Sequence, residues 1–462
     1  MSRTWVRLVM GAGLALSGGH AAAQVAPNAA VPAALDVEHV QLPVDALMQD
    51  AAEYARRFGV PFDEALRRLR AQGESVVTTD ALRETFKDRW AGIAAEHQPA
   101  YRIVVLLTGS DPVPDRTIVA GGMIVPIVFR TGATATREAI LAQIAAHQAT
   151  IRASLPHPPG MGLDQRTGEL VVVIANADSS LDRDGALHDR IAAMTGVPVR
   201  IDLVDRPSGD MAQVDAGAAV RSGPIEGGPV ENGLVENGLV ETGLVENGVI
   251  KGGGRVVGTV DGRRYACTTG FVVSDGMRTG IATAAHCPDS LSYVDRAYVD
   301  PLHADRKGRD VPIDFVGQWG WGYQDVQVNL TPDQGRMPLA PLFYADTAKT
   351  LVRPVVTWRY RTSTRAGDFV CHRGERTGYS CAVVAMVDFA PAGDLCGGAC
   401  LATWVAVEGP TCKSGDSGAP VFEGTTALGI VKGGTYRSDG TCLFYYYMST
   451  DYLPPGWTLL HQ

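Results

Sequence analysis

All eight cysteines of this 462-residue chain lie between Cys267 and Cys442, and the first 266 residues contain none. An even number of cysteines confined to one stretch reads as a set of disulfides, so the back of the chain folds for an oxidising compartment and the front does not need to. The length allows two or three domains. With 45% apolar and 20% charged residues the chain is globular, which excludes wholesale disorder. The net charge of −9 and the lack of a Lys/Arg stripe argue against nucleic acid as a partner, because phosphate neutralisation needs clustered cations. Residues 201–250 hold nine acidic and two basic side chains, so most of the acidic excess is local.

The N-terminus carries an export signature. Arg3 and Arg7 precede the apolar run Leu8 to Leu16, and Ala21, Ala22 and Ala23 supply small residues for cleavage before Gln24. Residues 1–23 are therefore expected to be a signal peptide, with the mature chain secreted or periplasmic. No later segment has 18 consecutive apolar residues, so no membrane helix is expected.

From Val44 to about Gln72 the apolar spacing predicts two helices, broken at Gly59 and reopened at Pro61, with a further helical stretch near Leu82 to Ala95. Short apolar runs then predict strands over Arg102 to Thr108 and Ile124 to Phe129 and a helix over Arg137 to Leu155. A strand (Leu170 to Ala175), a helix (His188 to Met194) and a strand (Val197 to Leu203) follow. This order predicts a small α+β domain, and residues 24–222 are assigned to it and its surroundings. Residues 223–251 contain five-residue repeats such as Leu234-Val-Glu-Asn-Gly238 and Leu244-Val-Glu-Asn-Gly248. They are expected to form an acidic linker open to proteolysis, with a stacked β element or docking strip as the competing reading.

From residue 252 onward short strands alternate with Gly-rich turns, for example Gly270 to Ser274, Ile281 to Ala285, Val326 to Leu330, Leu351 to Trp358 and Leu428 to Val431. This spacing predicts an all-β sandwich or barrel.

Two segments there carry chemistry. Thr283-Ala-Ala-His286-Cys287 ends an apolar strand on a histidine, and Gly415-Asp-Ser417-Gly418 places a serine in a tight turn. A serine hydroxyl attacks at neutral pH only when a neighbouring base takes its proton, and histidine titrates in the right range. The imidazole needs a carboxylate to fix its tautomer, and the developing oxyanion needs backbone N–H donors that a Gly-flanked turn can bring together.

With both motifs in the order His then Ser, the chain resembles the chymotrypsin-like serine proteases, and most of all the streptogrisin and alpha-lytic protease group. The resemblance is strongest over 250–462. It extends over 44–205 through Arg57-Phe-Gly-Val, Glu64-Ala-Leu-Arg-Arg-Leu and Gly162-Leu-Asp-Gln-Arg-Thr, which look like that group's pro-region. It implies an all-β catalytic domain of two six-stranded antiparallel β-barrels over 252–462, chymotrypsin-like, preceded by a small α+β pro-domain. It also implies disulfides Cys267–Cys287, Cys371–Cys381 in the hairpin Phe369 to Cys381, and Cys412–Cys442. For Cys396-Gly-Gly-Ala-Cys400 a local disulfide is the simplest reading, with a zinc site as the rival. The resemblance puts the oxyanion donors on the N–H groups of Gly415 and Ser417 and the substrate on the strand Val431-Lys432-Gly433. Asp325 is preferred as the third catalytic member, 39 residues after His286 and followed by alternating apolar residues, with Asp314 as its rival. Asp416 is read as structural, through the buried ion pair that this acid makes in the family.

Three positions depart from the family pattern. Ala419 replaces the usual Gly, Lys432 stands where Ser is common, and Pro410 and Thr411 put no carboxylate at the base of the primary pocket, which disfavours trypsin-like cleavage. The expectation is a secreted serine endopeptidase made as a zymogen, without cofactor or metal, probing protein or peptide substrates as a monomer. Its own pro-region is expected to act as folding aid and inhibitor, with no nucleic acid or membrane partner. The competing class is a non-catalytic homologue that serves as an extracellular binding or adhesion module.

Overall fold

A computed structural model describes residues 38–205, 209–210, 248–300, 303–331 and 337–462, with strand geometry but no side-chain detail at 209–210, 296–300 and 303–308. The expected signal peptide and nearly all of the repeat linker lie outside the described residues.

The described back of the chain is built on strands, in two large sheets and a small four-stranded one in which Ile250–Gly252, Leu339–Tyr344 and Leu351–Pro354 are joined by His39–Val40 of the front part. The first is antiparallel and runs in the order Arg263–Thr268, Arg255–Val260, Leu291–Asp300, His303–Trp319, Val326–Leu330, Thr279–Thr283, Val272–Ser274, Thr458–Leu459. Its strands Arg263–Thr268 and Val272–Ser274 sit near opposite ends of this order yet are joined by three residues, so the sheet has to wrap around on itself. Gly270 makes that short connection possible. A Cβ there would stand 2.6 Å from Ile430 Cγ2 and 3.0 Å from the Gly418 carbonyl.

The second sheet closes into a six-strand ring. Phe369–Gly374 pairs with Pro420–Glu423, then Thr426–Tyr436, Cys442–Ser449, Trp404–Glu408 and Gly378–Ala390 follow, and the last pairs back onto Phe369–Gly374. Closure removes the open edges that a sheet of this size would otherwise expose. Inside the ring Val370, Val384, Val405, Val407 and Val431 are fully buried. Each such side chain contributes roughly 1.5–3 kcal/mol through burial. Four disulfides brace this half: Cys267–Cys287, Cys371–Cys381, Cys396–Cys400 and Cys412–Cys442.

The front part contains more structure than its apolar spacing announces. Helices Pro43–Phe58 and Phe62–Glu74 are joined at Gly59, whose φ of 64° forms a left-handed C-cap. The third helix is Val76–Thr85, and the stretch expected to be helical up to Ala95 is instead a strand, Trp90–Glu96. That strand is buried along most of its length and pairs with Arg102–Thr108, so tertiary packing decides its state over local propensity. Met123–Ala133 and Arg116–Ala120 complete a four-stranded sheet around Trp90, Ile103 and Val125.

A second core surrounds the helices Arg137–Ala153 and Ala186–Thr195, packed on strands Gly160–Asp164, Glu169–Ala175 and Val199–Val204. The front part thus holds two small α+β layers, where the sequence pattern suggested one. The second layer is continuous with the ring, because Gly160–Asp164 pairs antiparallel with Gly378–Ala390 at Gly162↔Phe389 and Met161↔Ala390.

Buried polar side chains fasten the front part onto the ring. Asp50 accepts from Arg353 Nη1 at 2.9 Å, from Tyr379 Oη at 2.7 Å and from the Gly424 N–H at 2.6 Å. Gln72 pairs both ways with the backbone of Phe369, accepting from its N–H at 2.7 Å and donating to its carbonyl at 3.0 Å, as a neighbouring strand would. Arg137 holds Asp388 through two bonds of 2.7 Å, and Asp388 also takes Arg361. A further segment reaches the ring's central strand. Gly209–Asp210 pairs antiparallel with Thr426–Tyr436, Gly209 opposite Gly434 and Asp210 opposite Gly433.

Candidate active site

Two sheets meet where the His and Ser motifs come together. Strand Thr279–Thr283 delivers the turn that carries His286, and strand Val326–Leu330 begins directly after Asp325, so both come from the first sheet. Ser417 precedes strand Pro420–Glu423 of the ring. Thr268 of the first sheet stitches the two together, and Thr283 of the same sheet holds Thr268 in place. The Thr268 N–H donates to the Ser417 carbonyl at 2.8 Å, its hydroxyl donates to the Gly415 carbonyl at 2.8 Å, and the Thr283 hydroxyl donates to the Thr268 carbonyl at 2.7 Å.

His286 Nε2 lies 2.8 Å from Ser417 Oγ and His286 Nδ1 lies 2.8 Å from Asp325 Oδ2. Asp325 Oδ1 also accepts from the His286 N–H at 3.1 Å, so both carboxylate oxygens hold one residue. With Nδ1–H donating to Asp325, Nε2 presents its lone pair to the serine hydroxyl. Asp325 is 2% exposed. Burial works against its ionisation, but His286 and the ammonium of Lys432 outweigh it and bring the carboxyl down to about 2. Asp314, the rival carboxylate, is exposed on strand His303–Trp319 opposite Leu330 and makes no bond to His286.

The serine turn is shaped by glycines. Gly415 and Gly418 have φ of 102° and 85°, and a Cβ on Gly418 would lie 2.2 Å from Thr283 Oγ1 and 2.3 Å from the Thr268 carbonyl. The N–H groups of Gly415 and Ser417 donate to no acceptor among the described residues. Gly418 N–H donates to the Val431 carbonyl at 2.7 Å, which fixes the turn against the ring's central strand. Ala419 is fully buried in the ring core, where a methyl fits.

Asp416 is fully buried but is not held by a cation. Its carboxylate accepts from the N–H groups of Lys413 (2.9 Å), Arg376 (2.9 Å) and Thr377 (3.2 Å) and from the Thr377 hydroxyl (2.8 Å). The ion pair carried over from the family is thus replaced by neutral donors, and burial pushes the carboxyl above its usual range despite them. Gly374 is required for this nest, since a Cβ would sit 2.1 Å from Asp416 Oδ1.

Sequence reasoning placed Lys432 on the substrate strand and noted it as a departure, with no contact to Asp325 foreseen. In the fold its side chain is 1% exposed, and Nζ is 3.4 Å from Asp325 Oδ2 and 5.4 Å from the ring centre of Trp404. The signal was the substitution itself, a charged residue inside an apolar strand next to a turn. Val431 and Gly433 flank Lys432 on the strand that Gly209–Asp210 covers. The Cys396–Cys400 sulfurs are bonded to each other, which excludes zinc ligation by that pair. Its loop packs on the chain leading to Asp325, with Gly322 N–H donating to the Cys396 carbonyl at 3.1 Å.

No protein-family model and no curated protein matches this chain. Solved structures do. Thermobifida fusca Protease A is 21% identical, covering 46% of this chain and 100% of its own, with a TM-score of 0.34. Cellulomonas bogoriensis chymotrypsin is 19% identical over 46% of this chain and 98% of its own, with a TM-score of 0.34. An alpha-lytic protease homologue is 18% identical over 44% and 93%, with a TM-score of 0.31. Each of these likenesses covers less than half of this chain's length.

Proposed function

We propose that the chain is an exported serine endopeptidase made as a zymogen, with Ser417 as nucleophile, His286 as general base and acid, and Asp325 as the group that orients His286. The observation that carries this reading is the unbroken relay of two 2.8 Å contacts from Ser417 Oγ through His286 to Asp325. His286 Nε2 takes the Ser417 proton as Oγ attacks the peptide carbonyl. The oxyanion is met by the N–H groups of Gly415 and Ser417, preorganised by the glycine turn. The imidazolium then protonates the leaving amine, and water, activated by the same nitrogen, releases the acyl group from Ser417.

Latency fits the same reading. Asp205 accepts from the Ser438 N–H at 2.8 Å, and the chain then lies on Gly433 and Gly434 as an antiparallel strand. A substrate docking by strand addition would use those backbone groups. The front part is therefore a pro-region that occupies the substrate strand, and the acidic repeats are the spacer cut on maturation. Four disulfides and an N-terminal export signature fit a secreted or periplasmic product. The lack of a carboxylate at Pro410 and Thr411 argues for a preference other than Arg or Lys.

A fluorophosphonate probe should label Ser417 in the processed protein, and peptide substrates should be hydrolysed. Failure of both in correctly disulfide-bonded protein would overturn the assignment. Expression of Ser417→Ala in a host free of other proteases should give an unprocessed chain. A mature form identical to wild type would remove self-processing.

A further inference from the structure

Lys432 occupies an unusual place for a lysine. Strand Thr426–Tyr436 pairs with Cys442–Ser449 through Val431↔Tyr447 and then Gly433↔Tyr446, so Lys432 is the extra residue of a β-bulge. A bulge re-aims the side chain it carries. Val431 points into the ring core, while the Lys432 side chain reaches out of the strand to Asp325 on the other sheet. It meets Oδ2, the oxygen that also faces His286 Nδ1. The ring of Trp404 lies against the ammonium, and Trp404 is itself tied to the Asp325 loop by a 3.3 Å bond from Nε1 to the Gly322 carbonyl. A carboxylate and an aromatic face both favour the charged ammonium in this buried setting.

We infer that Lys432 is a positioning residue that acts through Asp325, locking the carboxylate in place and lowering the pH range over which His286 works as a base. This rests on the proposed peptidase reading. The imidazolium gains from the negative charge of Asp325, and a second cation on the same oxygen reduces that gain. His286 therefore keeps its base form to lower pH than an otherwise identical site would allow. Among the described residues no cation other than Lys432 and His286 bonds to Asp325. Tyr447 on the adjacent strand is a phenol that burial keeps neutral. Met448 contributes only a thioether that accepts the Asp325 N–H at 3.3 Å. Asp451 accepts from the Arg361 backbone N–H at 2.8 Å, and the Arg361 guanidinium is bound to Asp388 and to the Tyr452 hydroxyl.

The test is the pH profile of kcat/KM for active protein recovered from the full chain, wild type against Lys432→Met. Removing the charge should move the acid limb up by roughly one pH unit, so that one unit below the wild-type midpoint the variant keeps about a hundredth of its own plateau where wild type keeps about a tenth. Lys432→Arg should keep the wild-type limb. A limb that stays in place or moves down in Lys432→Met, with wild type active, overturns the inference and leaves the peptidase reading standing. A wild type that neither cleaves peptides nor labels at Ser417 overturns the peptidase reading instead. If Lys432→Met does not fold, the His286 ring is titrated by NMR in the full chain carrying Ser417→Ala. A midpoint below the ordinary histidine value of about 6.5 supports the inference, and one at or above it overturns it.

Discussion

Residues 38–205 build two small cores without any disulfide, while residues 250–462 add four to a closed ring and a wrapped sheet. The two parts are joined by a shared apolar core in which Tyr54 and Leu69 cluster with Phe369 and Phe422, by the pairing of Gly160–Asp164 with Gly378–Ala390, and by buried polar contacts of Asp50 with Arg353, Gln72 with Phe369 and Arg137 with Asp388. Covalent bracing sits in the part that carries the His286–Ser417 pair, while only non-covalent contacts hold one part to the other. Such contacts give a defined docking geometry, yet each loses its value once one partner is displaced.

The largest effect should come from the back half alone. Ser417→Ala should lower peptide hydrolysis by a factor on the order of 10⁶, read from kcat, with the fold retained by circular dichroism. Asp325→Asn should cost about 10⁴ in kcat by offering His286 the wrong tautomer. If a substitution in the front part cost as much in the processed enzyme, the separation of roles between the two parts would fail.

Smaller effects probe the joint and the bracing. Asp50→Ala leaves Arg353 buried without its carboxylate and should destabilise the full chain by about 3–5 kcal/mol, read as a lower urea midpoint. The same change should leave the isolated processed enzyme untouched, and a loss there would break the comparison. Replacing Cys412 and Cys442 by serine should cost roughly 2–4 kcal/mol in both the full chain and the processed enzyme. The last effect is one of pH. The carboxyl of Asp325 is lowered to about 2 in the folded state, below its unfolded value. Its contribution to stability is therefore complete above about pH 4 and is lost as pH falls towards 2. Acid unfolding of Asp325→Asn should consequently be less steep across that window, as followed by tryptophan fluorescence.

Much of the site was legible because its pieces are local. A histidine at a strand end and a serine between glycines are turn chemistry, written in a few adjacent residues. Asp325 over Asp314 was arguable from the apolar alternation that follows it, because a buried strand entry leaves that pattern. The strand Trp90–Glu96 was not legible, since its small residues are compatible with a helix until Arg102–Thr108 lies beside them. The donors around Asp416 were misassigned because backbone N–H groups leave no mark on residue identity. The pairing of Gly209–Asp210 with strand Thr426–Tyr436 was equally invisible, as two residues carry no periodicity.

The sequence by itself determined which residues could do chemistry, that cysteines would brace only the back of the chain, and that this half would be built from short strands. These follow from side-chain type and short-range spacing. Only the tertiary structure decided that the second sheet closes into a ring, that the front part splits into two layers of which one extends that ring, and that Lys432 turns through a bulge onto Asp325. Those outcomes depend on which distant strands pair and in what register, and pairing is settled by the packing of whole faces.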